Sequence, residues 1–116
     1  MEMSVPTLKH QLETINGVTW HWVEAGDGDP IVLLHGIPES WQCWIHQIPT
    51  LATQFKVYAF DLKGYGQSDK AEGDYTMNNV AAELISCLDH LFLIFNVSCC
   101  HQIFIVAGCQ SNFHFL

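Results

Sequence analysis

The 116-residue chain contains no arginine and only four lysines, against twelve Asp and Glu, for a formal charge of −8. A phosphate backbone would find almost nothing here to exchange for its counterions, which argues against a nucleic-acid surface. No Gly-Lys dipeptide occurs, so there is no phosphate-binding P-loop, and Gly36 stands alone where a dinucleotide fingerprint would need three glycines. The opening MEMSVPTLKHQLETI lacks the basic and apolar regions of a secretory signal. The five cysteines, Cys43, Cys87, Cys99, Cys100 and Cys109, form neither a disulfide-like spacing nor a Cys-x-x-Cys ligand pattern. Buried inert thiols in a reduced, cytoplasmic setting are expected, with no metal site and no cofactor. Charge is also missing from one end: after Asp89 only histidines can carry any. The apolar Leu91–Cys109 raises a membrane question, but Asn96, Ser98, His101 and Gln102 near its middle make a span unfavourable. A membrane tail remains the minor alternative to two short buried strands or a misfitting tail.

What is present reads as a single modest domain, since apolar residues make up 49% of the chain and charged ones 14%, a composition able to build a core. Leu8–Ile15 and Val18–Ala25 flank Asn16-Gly17, a pair suited to a hairpin turn whose central residues both need positive φ. Ile31–Leu34 is an unbroken, branched run expected of a central parallel strand. Trp41, Ile45, Ile48 and Leu51 recur at helical spacing, so a helix is expected from an N-cap at Ser40, ended or kinked by Pro49. Lys56–Phe60 reads as the next strand. Val80, Leu84, Leu88 and Leu91 then mark an amphipathic helix from about Asn78. Hairpin, strand, helix, strand, helix gives an α/β class, with Trp41 and Trp44 expected in the core rather than in a pocket.

Two loops leave strand ends on which α/β proteins place their ligands. His35-Gly36-Ile37-Pro38 reads either as a strand terminator or as an oxyanion hole, with the Ile37 amide aimed at developing negative charge. Asp61–Asp69, the second loop, bears glycines, and Asp61 reads as a turn residue capping its own loop.

Taken together, HGIPESWQCWIHQIPTLATQFKVYAFDLKGYGQSDK and YTMNNVAAEL resemble the α/β-hydrolase superfamily, closest to its epoxide hydrolase and haloalkane dehalogenase branch. The likeness covers about residues 8–91, and Lys63 stands where that branch usually has Arg. The resemblance implies an N-terminal part of an α/β-hydrolase sheet, with His35, Gly36, Ile37 and Pro38 forming oxyanion hole and cavity wall. It implies a small apolar substrate, attacked by an Asp carboxylate whose ester a His-activated water then hydrolyses. It also implies a nucleophile on a sharp turn after the next strand. Beyond Leu91 no Gly-x-[Ser/Asp]-x-Gly occurs, so no catalytic residue is assigned and the sheet is expected to be truncated before the nucleophile elbow. The division expected is a partial hydrolase domain at 1–91 and a divergent, uncharged tail at 92–116, with activity of the chain by itself left uncertain. Ala107-Gly108-Cys109-Gln110-Ser111 is the nearest imitation of an elbow, and only His114 follows it. A sheet missing its later strands would leave an edge open to self-association or to a partner.

Overall fold

The computed structural model describes residues 7–36, 39–70, 73–94, 104–107 and 114–115. Ile37, Pro38, Cys99, Cys100 and Cys109 therefore lie outside the described residues.

Hairpin β1 (Lys9–Ile15) and β2 (Val18–Ala25) forms as the sequence predicts: Asn16 at φ 51° and Gly17 at φ 82° make the turn, and Ile15 faces Val18 across it. Strands β3 (Asp29–Leu34) and β4 (Phe55–Phe60) pair in parallel, and β4 also runs antiparallel to β2. Beyond β3 the short strand β5 (Phe104–Ala107) pairs in parallel, followed by β6 (His114–Phe115). The six-stranded sheet thus has the order β1-β2-β4-β3-β5-β6. The uncharged end of the chain, left unassigned by its sequence pattern, contributes two strands to the one sheet.

Alternation of side chains sends neighbouring residues to opposite faces. Trp20 and Trp22 of β2, Val32 of β3, and Tyr58 and Phe60 of β4 pack on one face. Against them lies helix α2 (Met77–Ile94) through Leu84, Cys87, Leu88 and Leu91. The intervening residues Val23, Ile31, Leu33, Val57 and Ala59 pack on the other face against Trp41, Trp44 and Ile48. The sheet is therefore covered on both sides, as its branched, unbroken β3 demanded. Both tryptophans are core residues, with Trp44 fully buried.

The helix expected from Ser40 is two pieces: a 3-10 turn, Trp41–Trp44, and a separate short helix α1, Ile48–Leu51. Ser40 does cap the first piece, accepting from the Gln42 amide at 3.3 Å. Pro49 sits in the first turn of α1 rather than at its end. A proline there sacrifices no helical hydrogen bond and pre-sets φ, so it starts a helix more readily than it stops one. Helix α2 starts one residue before the predicted place; Thr76 caps it, its hydroxyl accepting from the Asn79 amide at 3.4 Å. Among the described residues no helix is long and apolar enough to cross a membrane.

Candidate functional site

The chain steps from β3 to β4 on one side of β3 and from β4 to β5 on the other, with α1 and α2 on opposite faces. The crevice beyond the carboxyl end of β3 is thus a topological switch point, where α/β sheets open to ligands. His35 and Gly36 leave β3 here, Asp61–Asp69 leaves β4, and Ala107 ends β5 opposite Leu34.

His35 is only 4% exposed. Its Nδ1 lies 2.7 Å from the Gly36 carbonyl and its Nε2 2.9 Å from the Leu62 amide. A carbonyl can only accept and an amide can only donate, so the ring is the neutral tautomer protonated on Nδ1. One side chain thereby ties the loop after β3 to the loop after β4. The Gly36 carbonyl also accepts from the Glu39 amide at 2.8 Å. Among the described residues a Cβ on Gly36 would meet only the Glu39 carboxylate, at 2.9 Å, the far end of a side chain that can swing aside, so neither crowding nor a positive φ demands glycine there.

The loop after β4 is organised around Asp61, which is completely buried. Its Oδ1 accepts from the Trp41 amide at 2.8 Å, and its Oδ2 from the Gln67 amide at 2.9 Å and from His21 Nδ1 at 2.7 Å. It is more than a turn residue capping its own loop, because it also fastens the start of the 3-10 turn and strand β2. Gly66 curls over this carboxylate at φ 54°, and a Cβ there would stand 2.2 Å from Asp61 Cγ. Only glycine fits. The Ser68 hydroxyl donates to the Asp61 carbonyl at 2.6 Å and accepts from the His21 amide at 2.8 Å. Lys63, 8% exposed, bonds Glu83 of α2 at 2.9 Å and lies 4.9 Å from the centre of the Tyr75 ring. The hydrogen bond to Glu83, more than any other contact, holds the Lys63 ammonium above the ordinary lysine range.

Chemically, then, the described part of the site is a braced wall. Asp61 and Ser68 have their oxygens engaged by the backbone and by His21, so neither offers a nucleophile. Among the described residues, no group of three His, Cys, Asp or Glu side chains is placed to hold a metal ion. Sequence reasoning brought out His35, Gly36 and Asp61 but missed His21. Its only sign was a polar residue amid the apolar positions of β2, which a half-buried strand pattern absorbs without comment.

A family model described as alpha/beta hydrolase fold matches residues 29–91. Over 84 residues the chain is 43% identical to the soluble epoxide hydrolase of Corynebacterium sp., covering 72% of this chain and 29% of that protein. The crystal structure of epoxide hydrolase VrEH1 from Vigna radiata superposes with a TM-score of 0.74 at 33% identity, over 86% of this chain and 30% of that one. A haloalkane dehalogenase from Agrobacterium tumefaciens gives a TM-score of 0.68 at 38% identity, over 72% of this chain and 29% of that one. The chain thus spans under a third of the length of each of these proteins. With a matching family model over more than half its residues, and relatives and solved structures of this kind similar over most of its length, the chain belongs to the alpha/beta hydrolase fold family, on its epoxide hydrolase-like side.

Proposed function

We propose that this chain forms the oxyanion-side wall of an epoxide-hydrolase-type site for a small apolar substrate, and does not turn that substrate over by itself. One observation carries the reading: the His35 ring couples the loops after β3 and β4 at the switch point, through the Gly36 carbonyl and the Leu62 amide. In this reading the Ile37 amide faces the charge that develops during hydrolysis, Pro38 lines the cavity, and His35 and Gly36 hold the loop in place. The inactive part is supported by the engagement of Asp61 and Ser68, whose side-chain oxygens are held by His21 and by the backbone of the surrounding loops. A cytoplasmic setting accompanies the reading, supported by Cys87, a buried thiol outside any disulfide. The test is diol formation from styrene oxide by the purified protein. No diol above the buffer rate is expected. Diol formation that disappears in Cys109→Ala would overturn the inactive part and make Cys109 the nucleophile.

A second reading is a non-catalytic binding form acting through a sheet edge left open where later strands would add; in the described sheet that margin is β6, and the opposite margin, β1, carries Leu12 at 64% exposure. Light scattering over a range of concentrations tests it, a stable dimer supporting association and a monomer throughout removing it.

A further inference from the structure

Asp61 and His21 do not end their chain of contacts with each other. On the face of the hairpin that carries Val23, His21 Nε2 lies 3.0 Å from His10 Nδ1. His10 and His21 are diagonal neighbours on β1 and β2, since His10 faces Val23 and Leu12 faces His21 in the register. The ring centres are 5.2 Å apart with planes 23° from parallel. That separation is close to the N···N distance plus the two ring radii, so the imidazoles meet edge to edge through their nitrogens rather than stacking. Lone pairs aimed at one another share a proton; two ligands of one metal ion would instead converge on a third point.

The directions of the protons follow. An unprotonated His21 Nδ1 would set its lone pair against the Asp61 carboxylate at 2.7 Å, so the proton sits on Nδ1. In the neutral ring Nε2 is then the acceptor, and His10 Nδ1–H is the donor. His21 is 1% exposed, whereas His10 stands at the surface with its Nε2 partnerless among the described residues. A buried carboxylate thus reaches solvent through two imidazoles in series, with a lone pair at the outer end. Exposed Leu12 projects from the same face of β1 and supplies apolar surface beside the outer ring, while the buried Trp41 ring packs nearly perpendicular to His10 with centres 5.5 Å apart.

We propose that His10, backed by His21 and Asp61, is an acyl-accepting nucleophile for activated aryl esters, at a site distinct from the loops after β3. His10 Nε2 attacks the ester carbonyl carbon and the aryl oxide leaves with the electron pair of the broken C–O bond. The acylated ring gives its Nδ1 proton to His21 Nε2, and the resulting imidazolium is held by the Asp61 carboxylate. Water then adds hydroxide to the acyl carbon, the acid departs, and His10 recovers its Nδ1 proton from His21. The proton remaining from water passes to solvent and balances the aryl oxide.

The test uses the whole chain and two probes. With diethyl pyrocarbonate, carbethoxylation of His10 is compared by peptide mass spectrometry with that of exposed His46 in the same molecule. His10 is expected to react at least about tenfold faster, a modest fraction of what a positioned proton acceptor contributes inside an enclosed site. In His21→Gln, whose amide can still donate to Asp61 but cannot take a proton, the two rates are expected to become equal. With p-nitrophenyl acetate, release of p-nitrophenolate is expected to fall about tenfold in His10→Ala, an exposed position whose change leaves the circular dichroism spectrum intact. Equal reaction of His10 and His46 in the unaltered protein, or undiminished p-nitrophenolate release by His10→Ala, would overturn the proposal. Should His21→Gln not fold, the comparison of His10 with His46 in the unaltered protein still decides it.

Discussion

The two covered faces of the sheet and the polar centre of the loop beyond its end, Asp61 and Ser68, are both buried, yet different forces hold them. On the faces, Val32, Phe60, Leu84 and Leu88 gain by leaving water, and any apolar residue of similar volume would gain nearly as much. Around Asp61 the gain comes from matching each donor to one acceptor, and nothing of another shape can substitute. The apolar layers tolerate change gradually. The loop tolerates it hardly at all.

Asp61→Ala breaks this distinction most directly, because it leaves the Trp41 and Gln67 amides and His21 Nδ1 without their acceptor in a dry site. A loss of about 3–5 kcal/mol is expected from removing one member of a buried hydrogen-bonded pair, read from the urea midpoint. Gly66→Ala is expected to act in the same sense despite adding a single methyl, since that methyl would collide with the Asp61 carboxylate and φ is positive. A loss under about 1 kcal/mol for Asp61→Ala would mean that the loop rearranges freely and is no brace.

Leu88→Ala measures the apolar side. With Leu88 at 7% exposure against the sheet, about 2–4 kcal/mol should be lost, with the loop hydrogen bonds intact. Equal sensitivity of the two regions at matched burial would erase the comparison. Thiol chemistry sharpens it without destabilising anything. Burial, and secondarily the charge of Glu13, pushes the Cys87 thiol up to about 12, while Cys43 on the opposite side of the sheet is only half-buried. At pH 8 iodoacetamide should label Cys43 well before Cys87, because the thiolate is the reactive form and burial suppresses it. Faster labelling of Cys87 would show that α2 opens from the sheet. The smallest effect belongs to the margin: Leu12→Thr, at an exposed position on a strand, should stay within about 0.5 kcal/mol by thermal melting.

Much of this contrast was legible in the linear chain. Asn16-Gly17 announced the hairpin, the unbroken Ile31–Leu34 announced a strand covered on both faces, and the spacing of Val80, Leu84, Leu88 and Leu91 announced α2. These features are local periodicities with one physical meaning each. Pro49 was less clear, because proline ends a helix from inside but begins one from its first turn, and only the packing of Ile48 decides which. Of the candidate site, His35 and Gly36 stood out by composition. Their bond partners did not, since Leu62 N is reached across two strands and a crossover.

The sequence by itself determined the class of fold, the family, the places of the main elements, and the exclusion of nucleotide phosphate motifs, all carried by short-range pattern. Tertiary structure alone decided that Phe104–Ala107 joins the sheet beside β3, and that the Asp61 carboxylate binds the Trp41 amide and His21. It also decided that His10 stands at the end of a buried chain of imidazoles. Each of these is a pairing between residues distant in sequence. Such pairings are fixed by the registers of strands and the crossing of connections, which no local pattern encodes.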